Sequence, residues 1–284
     1  MQLKTDEKYG FRYVPQTPDH DSLKKLYGDE FYDSEKPTYL SKVEQELDYW
    51  QAIFGLRLDL MSSALGQCGH ILDIGAGGGF FLHSARQKGW QTSGVEPSKQ
   101  AVAYASQRFE MDIFCGFLDA FSAPRESFDA IHTSLVLEHI PDPVTFLQQA
   151  LALLKPGGVL WVEVPNDFNP LQEVITARLD KQPWWVVPKH HLNYFNFESL
   201  ERLVTGQGCE PLERLASFPM EIFPLMGMDY LGNDQVGAQA HAMRMQLERH
   251  LLHANPQLLI EIYRNLARAG IGRTCNLLAR KIHY

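Results

Sequence analysis

The feature that most constrains the fold is the stretch ILDIGAGGGFFL at residues 71–82, where an apolar run meets four glycines and then resumes. Glycine weakens the interior of both strands and helices, so this density indicates a place where bare backbone is required. A buried strand that turns through glycines into a helix offers free N–H groups and a partial positive charge. The stretch therefore predicts a cradle for an anion or a nucleotide.

Alternating strand and helix patterns surround this cradle. Apolar segments typical of strands begin at His70 and recur in QTSGVEP, DIFCGF, FDAIHTSLVL, VLWVEVP, CEPLERLASF and TCNLLARKIH. The segments between them show helical periodicity, and Ser98, Asp142 and Asn196 stand at predicted N-cap positions. Repeated strand–helix units with buried apolar strands predict an α/β fold with a mainly parallel sheet.

Four segments divide the chain in this interpretation. We predict an aromatic-rich N-terminal segment with a helical cap at 1–66, the α/β core at 67–218, a helical insertion at 219–270 and a final core strand at 271–284. The insertion is expected either to cover the pocket of a second ligand, as a lid, or to form a homodimer contact.

Composition argues against several classes of function. The 284 residues carry a formal net charge of −8 without a dense run of lysine and arginine, so we expect no nucleic-acid partner. No apolar run approaches the ~18 residues needed to span a bilayer. The N-terminal MQLKTDEKYG has no apolar signal region, and the four cysteines lack metal-binding spacing. We expect a cytoplasmic protein with reduced thiols.

Two cofactor classes use a glycine cradle of this kind. The dinucleotide version needs G-x-G-x-x-G, whose third glycine lets the helix and strand pack closely. Gly75 and Gly77 fit, but the third position holds Phe80. The bulky ring argues against a nicotinamide cofactor, and a nicotinamide-dependent oxidoreductase remains only as an alternative.

Five motifs in order resemble the class I S-adenosylmethionine-dependent methyltransferases. LDIGAGGGFFL is similar to their first motif, GVEPS to the second and GFLDAF to the third, while FDAIHTSLVLEHIPDP and LLKPGGVLWVEVPN resemble the strand-four and strand-five signatures. HHLNYFNFESLERLVTGQGCEP resembles the segment that follows in the small-molecule, ubiquinone-pathway-like branch. The resemblance implies a Rossmann-like, doubly wound sheet of seven mainly parallel strands. It also implies S-adenosyl-L-methionine as cofactor and S-adenosyl-L-homocysteine as product.

The resemblance further implies a set of cofactor-binding residues. They are Asp73, Gly75, Ala76, Gly77, Gly79, Phe80, Glu96, Pro97, Asp119, Ala120, Phe121, Ser134 and Leu135. The glycines would let the methionine moiety lie against backbone, Glu96 would accept hydrogen bonds from both ribose hydroxyls, and Asp119 would accept one from the adenine amine. Ser134 and Leu135 would face the reacting methyl group. Glu96 and Asp119 could instead be ordinary strand-end and turn carboxylates.

The implied reaction is in-line attack on the sulfonium methyl by a small-molecule acceptor, with O-methylation favoured. A hydroxyl acceptor gains from a base, since a phenol of pKa ~10 is protonated at neutral pH. The candidate catalytic bases are His139, His190 and His191. Adjacent residues of an extended segment project to opposite sides, so we expect at most one of the last two to face the pocket. A structural or surface position is the alternative for each, and no metal is expected because no carboxylate spacing accompanies them.

Aromatic residues outside the motifs suggest further walls of the site. Trp184 and Trp185 would form an acceptor wall or pack beneath a loop. Tyr13, Tyr39 or Trp50 could cover the positive sulfonium, where an aromatic face is favourable. A catalytically silent S-adenosylmethionine-binding protein is the remaining alternative, since binding motifs alone do not establish turnover.

Overall fold

The computed structural model describes residues 2–282, except the side chains of residues 20, 21 and 29. The helices are α1 (His20–Lys25), α2 (Tyr39–Gln45), α3 (Leu47–Leu65), α4 (Phe80–Gln87), α5 (Lys99–Phe109), α6 (Pro143–Leu153), α7 (Pro170–Leu179), α8 (Phe197–Gly206), α9 (Ile222–Leu225), α10 (Asp234–Ala254) and α11 (Pro256–Arg268). The strands are β1 (Lys4–Thr5), β2 (Arg12–Tyr13), β3 (His70–Ile74), β4 (Gln91–Glu96), β5 (Phe114–Cys115), β6 (Phe128–Ser134), β7 (Leu154–Pro165), β8 (Asn193–Tyr194), β9 (Cys209–Ala216) and β10 (Thr274–Lys281). A π-helix spans Leu26–Glu35, and short 3₁₀ helices span Leu118–Ala120 and Leu137–His139.

Within residues 2–282, seven strands form the main sheet in the order β5-β4-β3-β6-β7-β10-β9. The strands from β5 to β7 pair in parallel, whereas β10 runs antiparallel to both β7 and β9. The predicted α/β fold with a doubly wound, seven-stranded, mainly parallel sheet is thereby confirmed.

Helices cover both faces of this sheet because its strands alternate apolar side chains between the two faces. Leu72 and Ile131 pack in one cluster, which includes residues of α6 and α8. Their neighbours Ile71 and Ala130 pack in the other, with residues of α3 and α11. The predicted caps are also confirmed, since Ser98, Asp142 and Asn196 cap α5, α6 and α8 through their side chains.

Local differences from the sequence expectations appear at three elements. The predicted strand DIFCGF is reduced to Phe114–Cys115, an edge strand that pairs only with β4 within residues 2–282. The fifth strand already begins at Leu154, so the KPGG turn belongs to β7. The predicted helical cap is interrupted at Glu46, where φ is −106° and ψ is 17°, and its helices there are α2 and α3.

The N-terminal segment and the insertion both meet the carboxyl edge of the parallel strands. In the N-terminal segment, β1 and β2 form a small antiparallel sheet with β8. α3 packs on α4 and β7, and α10 contacts α3 and α11. The four-segment division remains a prediction, but this arrangement sets the helices over the edge where α/β sheets bind ligands. Among the described residues, no helix combines the length and the apolar character required for a membrane span.

Candidate active site

The glycine loop joins β3 to α4 at the carboxyl edge of the sheet. Gly75, Gly77 and Gly79 have φ values of 83°, 52° and 77°, in the left-handed region that favours glycine. The N–H groups of Gly75 and Ala76 donate to the Val95 carbonyl at 2.8 and 3.0 Å. A Cβ on Gly75 would lie 2.3 Å from the side chain of Val136. Packing and backbone conformation therefore both require glycine at position 75.

Glu96 ends β4 directly beside this loop. Its Oε2 accepts from the Gly77 N–H at 2.8 Å, and its Oε1 accepts from the Ser98 N–H at 2.9 Å. Burial raises the pKa of Glu96 to about 7, although both N–H donors act in the opposite direction. Each carboxylate oxygen keeps a free lone pair. The side chain can therefore accept hydrogen bonds from a pair of neighbouring hydroxyls while it holds the loop.

A cavity of about 1310 Å³ extends from the glycine loop to the N-terminal cap, the 184–191 segment and the insertion. Aromatic side chains form much of its wall, including Tyr32, Trp50, Trp161 and Trp185. A volume of this size accommodates a nucleoside-sized molecule together with a second small molecule.

A chain of buried polar side chains lies along this cavity. Asp73 Oδ1 and His132 Nδ1 are 2.7 Å apart, and His132 Nε2 lies 3.4 Å from Arg57 Nη1. The same guanidinium pairs with Glu163 at 2.7 Å, and Ser134 donates to Glu163 Oε2 at 2.5 Å. The arrangement assigns the His132 proton to Nδ1, because Arg57 can only donate to Nε2.

Burial alone would raise the pKa of Glu163. Its ion pair with Arg57 and hydrogen bonds from Ser134 and Thr274 instead hold that pKa below the ordinary value. Glu163 is therefore an anion fixed inside the site. Through it, α3 of the N-terminal cap is bonded to the sheet.

The second polar cluster contains Glu138, His139 and His191. The His139 Nδ1–H donates to the His190 carbonyl at 2.7 Å, which leaves Nε2 free of a proton. Burial lowers the pKa of His139 to about 4 and that of His191 to about 3, and it raises the pKa of Glu138 well above the ordinary value. Both imidazoles are consequently neutral at physiological pH.

Two expectations about these histidines are wrong. His190 and His191 both line the cavity, because residues 188–190 form a turn and not an extended strand. A carboxyl group does accompany them, since potential ligand atoms of Glu138, His139 and His191 lie within 4.8 Å of one another. The sequence spacing concealed this proximity because His191 lies 53 residues beyond Glu138.

Comparison with known proteins identifies the family of the chain. A family model described as a methyltransferase domain matches residues 47–214, which is more than half of the chain. The chain belongs to the methyltransferase domain family. The resemblance to class I S-adenosylmethionine-dependent methyltransferases of the ubiquinone-pathway-like branch is confirmed. The cofactor of this family is S-adenosylmethionine, which becomes S-adenosylhomocysteine on methyl transfer.

Curated relatives agree with this assignment. The mitochondrial ubiquinone biosynthesis O-methyltransferase of Rattus norvegicus is 27% identical over 194 residues, which are 64% of this chain and 55% of the relative. The ubiquinone biosynthesis O-methyltransferase of Parvibaculum lavamentivorans is 33% identical over 100 residues, which are 34% of this chain and 40% of the relative. The methyltransferase thus spans about half the length of the curated relatives it matches.

Solved structures share the fold at low sequence identity. The plantazolicin methyltransferase BpumL, in complex with a monoazolic desmethylPZN analog and SAH, has a TM-score of 0.55 at 17% identity, with 92% of this chain and 94% of that chain covered. A putative sarcosine dimethylglycine methyltransferase from Galdieria sulphuraria has a TM-score of 0.52 at 17% identity, with 82% and 85% covered.

Most of the predicted cofactor residues of the methyltransferase lie on the cavity. They are Asp73, Gly75, Ala76, Gly77, Phe80, Glu96, Pro97, Asp119, Ser134 and Leu135. Leu135 has a φ of 56°, a strained conformation for a branched side chain, and directly follows β6. All three predicted histidines also line the cavity.

Three predicted residues of the methyltransferase are placed elsewhere. Gly79 faces Ala105, to which a Cβ would approach within 3.0 Å, so its glycine serves helix packing. Ala120 is exposed at the end of a 3₁₀ helix. Phe121 is partly buried and packs on Phe114 and Phe128 at the margin of the core, and it does not line the cavity. No cofactor contact is supported for these three positions.

Sequence reasoning missed several residues that the methyltransferase brings to the cavity. His132 and Glu163 lie inside the strand-four and strand-five motifs and Arg57 lies in an apolar helical segment, but no role was predicted for any of the three. Tyr32 belongs to the π-helix, and its hydroxyl lies 3.1 Å from where a Cβ on Gly77 would be. Of the aromatic residues proposed to cover the sulfonium, Tyr39 and Trp50 line the cavity, whereas Tyr13 lies in β2 away from it.

Proposed function

We propose that this methyltransferase transfers the methyl group to a hydroxyl oxygen of a small-molecule acceptor, with His139 as the general base. The observation that carries the proposal is the position of the proton-free His139 Nε2 on the same cavity as the glycine loop. A neutral imidazole with one fixed tautomer accepts a proton from a hydroxyl without first losing its own.

The residues around the glycine loop fit the cofactor. Gly75 and Gly77 present bare backbone, and the Glu96 carboxylate retains acceptor capacity for the ribose diol. Asp119 lines the cavity as an exposed carboxylate that can accept from an adenine amine. When bound, the cofactor supplies a methyl group activated by its positive sulfur. The protein's own contribution is alignment and exclusion of water.

His139 acts within a cluster that holds its ring in place. The Nδ1–H bond to the His190 carbonyl fixes the ring, and Tyr27 packs against it with a centroid separation of 5.3 Å. Glu138 Oε1 lies 3.7 Å from His139 Nε2.

The relatives support an oxygen acceptor. Both curated relatives described above are named as O-methyltransferases. Because the methyltransferase covers only part of their length, we do not transfer the relatives' own acceptors to it. The class of acceptor is proposed from the residues that line the cavity. In the same proposal the protein is cytoplasmic, in agreement with four unpaired cysteines, and the 219–270 insertion contributes a homodimer contact.

The test is a transfer assay with isotopically labelled S-adenosylmethionine and a panel of phenols, aliphatic alcohols, amines and thiols, read by mass spectrometry. We expect labelled methyl ethers from hydroxylated members of the panel and loss of this product in His139→Gln. Binding of S-adenosylhomocysteine without turnover on any acceptor would favour the silent-binder alternative. Methylated amines or thiols with no ethers would show that the acceptor atom is misassigned.

A further inference from the structure

We propose that Asp167 and Glu221 form a subsite for a positively charged nitrogen, so that the hydroxylated acceptor also carries an amine or ammonium group. The inference rests on the proposed function, because it concerns the acceptor part of the same cavity. Both carboxyls line that cavity, both are buried, and each keeps one oxygen without a hydrogen-bond partner within residues 2–282.

Asp167 follows β7 by two residues and is fixed by its backbone. Its N–H donates to the Phe195 carbonyl at 2.8 Å, and only 3% of the residue is exposed. Oδ2 is buried without a partner among the described residues. Burial, and then the nearby charge of Glu221, raise the pKa of Asp167 well above its ordinary value. Asp167 forms no ion pair within 4.0 Å among the described residues.

Glu221 lies directly before α9 of the insertion. Its Oε1 accepts from the side-chain amides of Asn169 and Gln172, each at 3.3 Å, and the residue is 4% exposed. Oε2 has no partner in the described part of the chain. Neutral amides thus orient this carboxyl but do not compensate its charge.

Three other carboxylates on the same cavity are compensated by cationic side chains. Arg57 pairs with Glu163 at 2.7 Å, Arg244 lies 3.5 Å from Glu248, and Lys189 pairs with Glu35 at 2.7 Å. Arg273 also lines the cavity, but it forms no ion pair within 4.0 Å in the described residues. Buried charges in proteins are normally paired, and Asp167 and Glu221 are two neighbouring buried carboxyls that a cation from outside the chain can compensate.

The surroundings favour an organic cation. Trp185 and Tyr230 line the same cavity. Burial and then the charge of Glu221 raise the pKa of Tyr230 to about 12, while Arg273 acts in the opposite direction. Aromatic faces attract ammonium groups and contribute no ligand atoms to a metal ion. A protonated amine offers up to three N–H donors to carboxyl oxygens. The positive nitrogen of the acceptor would therefore lie beside Asp167 and Glu221, the second of which belongs to the insertion.

The experiment compares benzylamine with benzyl alcohol, which match in size and differ in charge at neutral pH. Calorimetric titration is performed on protein saturated with S-adenosylhomocysteine. We expect benzylamine to bind at least about tenfold more tightly than benzyl alcohol. In Asp167→Asn and in Glu221→Gln this preference should fall to about threefold or less, with S-adenosylhomocysteine affinity within about twofold of wild type. Glu35→Gln is the matched control, because it removes a carboxylate that Lys189 already compensates.

The outcomes separate this inference from the proposed function. If S-adenosylhomocysteine binds but both probes bind equally or not at all, the cation subsite is wrong and the methyltransferase function stands. If S-adenosylhomocysteine fails to bind, the proposed function falls, while a preference for benzylamine in cofactor-free protein still supports the subsite. Competitive displacement of benzylamine by tightly bound Mg²⁺ would assign the carboxyls to a metal and overturn the inference. The wild-type comparison does not depend on the variants folding.

Discussion

Arg57 on α3 and Glu163 on β7 form a buried ion pair with an N–O distance of 2.7 Å. The pair connects the N-terminal cap to the sheet beneath the cavity. Glu163 also accepts from Ser134 and Thr274, and Arg57 lies beside His132. The cap therefore contributes directly to the polar floor of the methyltransferase site, and it does so through a charge that has little access to water.

Removal of Arg57 should destabilise the fold strongly. Arg57→Met leaves the Glu163 carboxylate buried without its cation, and we expect a loss of about 3–5 kcal/mol in the free energy of unfolding. Urea denaturation followed by circular dichroism measures this. The double variant Arg57→Met/Glu163→Gln should recover much of the loss, because no uncompensated charge remains.

The control for this prediction is Arg264→Met. Arg264 pairs with Glu213 at 2.6 Å, but both side chains are partly exposed. A solvated pair contributes about 1 kcal/mol or less. Equal losses in Arg57→Met and Arg264→Met would contradict the assignment of a special energetic role to the buried pair.

The fold and the cofactor loop could be predicted because their signals are local. The glycines of residues 75–79 interrupt a strand–helix pattern, and Glu96 follows Gly75 by 21 residues, at the end of the next strand. Strand ends of a parallel sheet meet at one edge, so sequence order alone brings these groups together.

The polar floor could not be predicted because its residues are distant in sequence. His132 lies 59 residues from Asp73 and 75 residues from Arg57. A histidine in FDAIHTSLVL or an arginine on an apolar helix has no pattern that indicates its partner. The π-helix at Leu26–Glu35 was also missed, because its turn spacing differs from the 3.6-residue period used to detect helices. Phe121 was misplaced because an aromatic ring beside a motif can pack either on a ligand or in the core.

Gly75 should tolerate no side chain. In Gly75→Ala the new Cβ would meet Val136 at 2.3 Å, and the φ of 83° is unfavourable for alanine. The loop must therefore move, and we expect S-adenosylhomocysteine affinity to fall by at least about tenfold in calorimetric titration. Gly89→Ala is matched in backbone strain, with a φ of 88°, but nothing lies within 4 Å of its Cβ. It should lose roughly 1–2 kcal/mol of stability and keep its cofactor affinity.

Glu96 should control cofactor affinity through its charge. Glu96→Gln keeps the shape and one acceptor oxygen but cannot accept from the Gly77 N–H, the Ser98 N–H and a ribose diol together. We expect a loss of at least about tenfold, or 1.4 kcal/mol, in S-adenosylhomocysteine binding. Unchanged binding in this variant would contradict the assignment of Glu96 as the acceptor of hydrogen bonds from the ribose hydroxyls.

The pH dependence of binding should report the same carboxyl. Since the pKa of Glu96 is raised to about 7, this group is increasingly protonated below neutrality and accepts fewer hydrogen bonds. We expect S-adenosylhomocysteine affinity to increase by about tenfold from pH 6 to pH 8. In Glu96→Gln the profile should be flat over this range, and a slope that persists there would assign the titration to another group.

The same shift has the opposite sign for stability without cofactor. The folded state holds the Glu96 proton more tightly than the unfolded chain, because the pKa rises from 4.5 to about 7. The contribution of Glu96 to the free energy of unfolding is therefore fully present below pH 4.5 and is lost as the pH rises through 7. Thermal unfolding of wild type and Glu96→Gln between pH 5 and 8 measures this, and the variant should gain relative stability at the alkaline end.

His139 should affect turnover more than cofactor binding. His139→Gln removes the proton-accepting Nε2, and we expect turnover on a hydroxylated acceptor to fall by about 10²–10⁴-fold with little change in S-adenosylhomocysteine affinity. Because burial lowers the pKa of His139 to about 4, wild-type turnover should not decline through protonation of this imidazole until the pH approaches that value. His190→Gln is the control, since the His139 ring is held by the His190 backbone carbonyl and not by its side chain. A larger loss in His190→Gln or His191→Gln than in His139→Gln would move the base to that residue, and full activity in all three would exclude a histidine base.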